Sequence, residues 1–142
     1  MDRHTPEQRS FNMSQVRSKN TKPEVFVFSV LDKLKIKYKK HYSISGKPDI
    51  AFPKQKVAVF INGEFWHGRY FHKEKPNYKK FWIEKISNNM RRDRKNYKEL
   101  KDDGWILIKI WDKDIKKNPK REINKIMRSI NLPLISKSDL EI

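Results

Sequence analysis

Pro48-Asp49-Ile50-Ala51-Phe52, a break at Pro53-Lys-Gln-Lys56, and then Val57-Ala-Val-Phe-Ile-Asn-Gly-Glu-Phe-Trp-His67 are the residues on which the reading of this chain turns. Two short apolar runs separated by a four-residue polar break predict neighbouring antiparallel strands joined by a tight connection. That pairing brings the carboxylate of Asp49, at the start of the first strand, near Asn62, Glu64 and His67 at the end of the second. An acid beside amide, carboxylate and imidazole groups can hold a divalent ion and manage a proton. Phe65 and Trp66 break the strand's alternation and offer large rings to a partner.

The surrounding chain sets the partner class. With 142 residues it is sized for one domain with one core. Lys and Arg number 34 against 17 Asp and Glu, a formal net charge of +17. A field of that sign and size draws polyanions, so nucleic acid is the natural partner. The charge runs through the whole chain, and four Trp with eight Phe argue for a folded body rather than a basic arm. No cysteine is present, which excludes disulfides, thiol nucleophiles and Cys-based zinc sites. The four histidines, at 4, 41, 67 and 72, are too scattered to make a zinc set. No apolar run reaches membrane-spanning length and the start has no signal-peptide core, so a cytoplasmic location is expected, without membrane contact.

Outward from the hairpin, Thr5-Pro6 opens a short helix over 5–16 with little core-facing surface, followed by Arg17 and Lys19 in a connecting loop. Thr21-Lys-Pro-Glu24 has capping-box spacing and starts a helix over 22–35, with apolar positions 26, 27, 30, 31 and 34 toward the core. The alternation over 35–40 predicts an edge strand with wet lysines. Residues 68–77 lack a period and read as a loop. A long helix over 78–102, ended by Gly104, leads to a nearly continuous apolar strand over 105–111, which predicts a central position. A last helix over 119–129 carries Ile123, Ile126, Met127 and Ile130 as its stripe. The order is α/β, with no repeat and no phosphate-binding glycine loop.

For a nuclease, which needs a metal and a group that orients water, Asp49 is the best ligand candidate, its alternative being a turn or salt-bridge carboxylate. Glu24 is a helix cap or a catalytic acid. His67 moves a proton or is a satisfied structural histidine, and Asn62 can position water or phosphate without being a base. Asp93 makes a surface ion pair or orients His67. Phe65, Trp66 and Trp82 belong to a core or wedge between base pairs. Arg91, Arg92 and Arg94 contact phosphates or form a solvated face.

Six stretches, Arg17-Ser-Lys-Asn-Thr-Lys-Pro-Glu24, Gly46-Lys-Pro-Asp49, Phe60-Ile-Asn-Gly-Glu-Phe-Trp-His67, Phe81-Trp-Ile-Glu-Lys-Ile86, Asn89-Met-Arg-Arg-Asp-Arg94 and Gly104-Trp-Ile-Leu-Ile-Lys-Ile-Trp111, together resemble the very short patch repair, or Vsr-type, DNA mismatch endonucleases. The similarity runs from about Arg9 to Trp111. It implies a restriction-endonuclease-like core, a mixed central sheet flanked by helices, magnesium, and nicking of one strand beside the thymine of a T:G mismatch. By that resemblance Asp49 and the Ile61 carbonyl bind the ion, Glu24 reaches the site from its helix, His67 orients water and Asp93 pairs with it. Phe65, Trp66 and Trp82 enter the base stack, and residues 1–20 embrace the DNA, ahead of an endonuclease domain over 21–135 and a polar tail over 136–142. Double-stranded DNA, possible repair-pathway proteins, a monomeric state and a nucleoid setting follow as expectations. The family's loop reads Phe-x-His-Gly-Cys-Phe-Trp-His, so Asn62 stands for a site histidine and Glu64 for a zinc-binding cysteine, while Phe71 and Lys113 fall near later zinc ligands. No structural zinc is expected. These departures leave two other readings: a related nicking or restriction enzyme acting on a different sequence, and a catalytically weak DNA-binding protein.

Overall fold

The computed structural model describes residues 21–141. The expected helix over 5–16, Arg17 and Lys19 lie outside the described residues. Four strands, β1 (Lys39–Lys40), β2 (Ile50–Phe52), β3 (Val57–Asn62) and β4 (Ile106–Trp111), form one sheet in that spatial order. The first two pairings are antiparallel and β3–β4 is parallel, so the sheet is mixed. Helices α1 (Lys22–Lys33), α2 (Phe71–Glu74), α3 (Lys80–Asp102), α4 (Asp112–Lys117) and α5 (Pro119–Ser129) complete the α/β architecture that the pattern and the resemblance imply.

Every residue of β3 is buried, and its two faces serve two layers. Val57, Val59 and Ile61 pack with Val27, Val30 and Leu31 of α1 and Ile123, Ile126 and Met127 of α5. Ala58 and Phe60 face the other way, against Leu100 and Tyr97 of α3. Since strand side chains alternate, Asn62 falls on the α3 side at the strand's end. The register Ile50↔Val59 and Phe52↔Val57 is the antiparallel hairpin read from the sequence, and Lys56 turns it in the left-handed region at φ 54°.

Three elements differ from expectation. The strand over 35–40 shrinks to Lys39–Lys40, because Lys35 at φ 58° closes α1 and Ile36 donates its amide hydrogen back to the Leu31 carbonyl at 3.0 Å. Within the supposed loop over 68–77, buried Phe71 anchors α2 and a 3₁₀ turn over Lys75–Asn77 follows. Strand β4 sits at the edge of the sheet instead of its centre: Ile110 is buried but Ile106 is 51% exposed. Its apolar run reflects two half-covered faces. Ile108 and Ile110 meet the α1–α5 layer and Leu107 the α3 layer, while the chain beyond turns into α4 and α5 rather than another strand.

Gly104 ends α3 as its sequence position predicts, at φ 86°, with the Trp105 amide donating to the Leu100 carbonyl at 2.9 Å. The Ile123, Ile126 and Met127 stripe of α5 and Ile130, just past its end, are all buried. Among the described residues no helix is long and apolar enough to cross a membrane.

Candidate active site

Asp49 lies at the mouth of the β2–β3 hairpin, where its Oδ2 accepts the Ile61 amide hydrogen at 2.7 Å. Glu24 arrives from the first turn of α1 and is 2% exposed. One of its oxygens does the capping: Oε2 accepts from the Thr21 amide at 3.3 Å and from the Thr21 hydroxyl at 2.8 Å. The other, Oε1, is buried with no hydrogen-bond partner. Cap and site are therefore not competing readings of Glu24, because each takes a different oxygen.

His41 completes the group. Its Nε2 is 3.9 Å from Glu24 Oε1 and its Nδ1 is 3.9 Å from Asp49 Oδ1. One ligand atom from each of Glu24, His41 and Asp49 falls within a mutual 4.8 Å. The imidazole is held there by the short β1 pairing: Lys40 opposes Ile50, so the next residue along meets Asp49, and the His41 amide donates to the Asp49 carbonyl at 3.1 Å. The backbone at His41 is left-handed, φ 47°, a conformation that costs energy for a residue with a side chain. Spacing does not group His41 with the other histidines; the pairing of Lys39 and Lys40 with β2 is what brings it to Asp49.

Burial drives the Asp49 carboxyl up from the usual carboxylate range to about 8, and the neighbouring Glu24 charge pushes the same way, against the Ile61 amide, which favours the anion. Two acids in one poorly solvated place need a cation or a proton. The orphaned Glu24 Oε1, the raised Asp49 and the nearby imidazole form a donor set dominated by hard oxygens, which fits a divalent ion such as Mg²⁺.

Beside this cluster, His67 Nδ1 lies 2.6 Å from Asp93 Oδ2. His67 belongs to the tight loop after β3, its amide bonded to the Gly63 carbonyl at 3.1 Å, and Asp93 belongs to the middle of α3. His41, Asp49, Ile61, Asn62, His67, Arg92, Asp93 and Tyr97 all line one cleft of about 430 Å³. Asn62 Nδ2 donates to the Tyr97 hydroxyl at 2.9 Å. Burial pushes the Tyr97 phenol up to about 12. Tyr97 places its ring against Phe60, while its hydroxyl meets Asn62 at the cleft.

The aromatic candidates separate by depth. Trp82 is only 6% exposed, with Phe65 at 5.3 Å and Trp66 at 5.7 Å between ring centroids. Without DNA, Trp82 lies behind Phe65 and Trp66, covered by their rings. Phe65 and Trp66 are half-buried, and the outermost ring is Phe81, 58% exposed and edge-on to Trp82 at 5.0 Å. The Lys85 ammonium stands 5.0 Å from the Trp66 ring. Arg91 and Arg94 are exposed on α3, Arg91 bonding Asn88 outside the cleft and Arg94 lining a neighbouring hollow of about 420 Å³ that shares His67, Asn62 and Tyr97 with the first.

Glu64 has a different task from the cleft residues. Its Oε1 takes Arg69 Nη1 at 3.0 Å and its Oε2 lies 3.7 Å from Lys113, while Arg69 also reaches Asp114 Oδ1 at 3.0 Å. Arg69 holds the Asp114 carboxyl below the usual range. This network ties the loop that carries Phe65, Trp66 and His67 to α4. Because it lies partly exposed, its strength depends on salt. Glu64→Ala should lower the melting temperature by about 3–6 °C in low salt. The loss should shrink in 1 M NaCl, as read by parallel thermal melts; an equal loss at both salt levels would show that packing, not charge, holds the loop.

A mixed sheet carrying an acid–imidazole metal cluster and a His–Asp pair at one cleft, in a strongly basic chain, defines a magnesium-dependent endonuclease of the restriction-endonuclease-like class. The family model described as DNA mismatch endonuclease Vsr matches residues 1–73. The Type II nicking enzyme V.NmeDIP of Neisseria meningitidis is 46% identical over 122 residues, 83% of this chain and 82% of the relative. V.HpaIIP of Haemophilus parainfluenzae, also named a Type II nicking enzyme, is 42% identical over 135 residues, 92% and 96% of the two chains. The DNA mismatch endonuclease Vsr of Escherichia coli is 30% identical over 114 residues, 78% and 73%. The chain belongs to the Vsr and nicking-endonuclease family, and it is a DNA endonuclease.

Proposed function

We propose that this enzyme nicks one strand of duplex DNA within a defined sequence, hydrolysing a phosphodiester to 5′-phosphate and 3′-hydroxyl ends. The observation that carries this reading is the convergence on one cleft of His41 and Asp49, with Glu24 buried behind them, and the His67–Asp93 pair, drawn from separate segments of the chain. The divalent ion, when bound, supplies Lewis-acid polarisation of the phosphate and acidifies water. Glu24, His41 and Asp49 hold it. The Ile61 carbonyl would be a further ligand: its N–H is already on Asp49, and in a strand the N–H and C=O of one residue leave from the same flank. Asp93 accepts the Nδ1 proton of His67, which leaves Nε2 to take a proton from the attacking water. Arg92 and Asn62 meet phosphate oxygens. Phe65 and Trp66 stack on bases, buttressed from behind by buried Trp82, with Phe81 and Lys85 at the outer edge.

Relatives named as Type II nicking enzymes, at 46% and 42% identity, support action at a defined sequence. A second reading, that the nick is made beside the thymine of a T:G mismatch in very short patch repair, is favoured by the family model's description as a mismatch endonuclease. A panel of end-labelled duplexes, matched and carrying each mismatch in varied flanks, is incubated with magnesium and resolved on denaturing gels. Cutting of matched duplexes at one sequence supports the first reading, and cutting confined to T:G supports the second. Tight binding with no cutting in any duplex would leave only a DNA-binding protein.

A further inference from the structure

Two side chains one turn apart on α3 reach toward the polar groups at the end of β3. Asp93 holds His67 at 2.6 Å, and Tyr97 accepts an Asn62 amide hydrogen at 2.9 Å. Residues spaced i, i+4 share a helix face, so α3 presents both contacts to the same cleft. The Tyr97 ring is itself fixed, edge-on to Phe60 at 5.1 Å and with the Lys109 ammonium 4.9 Å from its centroid. An asparagine amide turns in a broad, roughly two-fold well, so its direction is set by its partners. With one amide hydrogen held by Tyr97, the other projects away from that bond.

We propose that Tyr97 is a positioning residue for strand cleavage: by holding one Asn62 amide hydrogen it aims the other at a non-bridging oxygen of the scissile phosphate, as Asp93 aims His67. This rests on the endonuclease reading of the cleft. It gives Asn62 a definite duty, that of a neutral donor to an anionic substrate, and it explains why an amide that cannot act as a base sits 8% exposed at the cleft wall.

The test compares wild type, Y97F, N62A and N62A/Y97F in single-turnover cleavage with magnesium and in metal-free DNA binding. The substrate panel includes duplexes with one Rp or Sp phosphorothioate at the scissile position. Y97F and N62A should each slow cleavage about 10- to 30-fold, with DNA affinity within about two-fold of wild type, and the double variant should be no slower than N62A alone. One phosphorothioate isomer should slow wild type more than the other, and that preference should fall in both single variants, an effect that lost stability alone does not produce. Y97F cutting within two-fold of wild type, multiplicative slowing in the double variant, or an unchanged isomer preference overturns the assignment. Wild type that cuts no duplex overturns the endonuclease reading together with this inference, whereas wild type that cuts while Y97F cuts equally fast overturns this inference alone.

Discussion

Replacing Asp49 with Asn is expected to slow cleavage by about 10³-fold or more and, in the same protein, to raise the melting temperature of the metal-free form at pH 8. Both effects come from one side chain. In the proposed site the carboxylate would be a ligand, and an amide oxygen is a weaker one. In the metal-free fold the same carboxyl is buried beside Glu24 and its pKa is raised to about 8 from 3.8. The folded state therefore keeps a proton that the unfolded chain has already released. Stability is unaffected below about pH 4, falls as pH rises through the window from about 4 to 8, and levels off above it, with a limiting slope of about 1.4 kcal/mol per pH unit for one proton. Asn carries no charge and escapes that loss. Melts of wild type and D49N from pH 4 to pH 9 without metal should show the variant's advantage opening across the window. Curves that stay parallel would refute a destabilising Asp49. Divalent ions compete with the same proton, so magnesium affinity of wild type, measured by calorimetry, should rise by up to about tenfold per pH unit between pH 6 and 8. In D49N that rise should be smaller, with only the His41 and Glu24 protons left to compete.

The second large effect is expected at His67. His67→Ala should reduce the cleavage step by about 10²- to 10⁴-fold, the usual yield of a positioned acid–base group, with magnesium affinity unchanged because the imidazole lies outside the Glu24–His41–Asp49 set. Asp93→Asn keeps the shape of the contact but removes the charge that steadies a protonated imidazole. It should cost about 10- to 100-fold and move the pH–rate profile of cleavage. Single-turnover rates from pH 5 to 9 for wild type, H67A and D93N separate these roles. A profile in D93N that coincides with wild type apart from scale would deny the pair its proton function. A fall in magnesium affinity in H67A would make His67 a ligand rather than a base.

Much of this architecture could be read along the chain. Thr21 and Glu24 announce the start of α1, Gly104 announces the end of α3, and the α5 stripe falls at its expected spacing, because caps and periodicities depend on neighbours a turn away. The Asp49 hairpin was legible for a similar reason: a four-residue break between two apolar runs leaves few ways to pair them. Asp49, Glu24, His67 and Asp93 were legible as candidates by residue type and motif, not as partners. That Glu24 gives one oxygen to the cap and turns the other toward His41 depends on α1 sharing a core with β2, which spacing does not report.

Where side chains from distant segments meet, tertiary structure decided. His41 reaches the metal cluster because a two-residue strand pairs with β2, too short a signal to stand out in sequence. Tyr97 offers an apolar ring to its helix face, and its hydroxyl meets Asn62 only because β3 ends beside α3. Strand β4 has the composition of an interior strand yet lies at an edge, since an apolar run records that each face is partly covered and not how many strands flank it. Trp82 and Phe81 are adjacent in sequence, but one is buried at 6% and the other exposed at 58%, because the rotation of α3 against the Phe65–Trp66 loop, not the choice of aromatic, sets which ring faces out. The chain by itself determined the family, most of the elements and the chemistry available. Packing between remote segments decided which of those groups face one another across the cleft, because contact energies of that kind exist only after the layers have assembled.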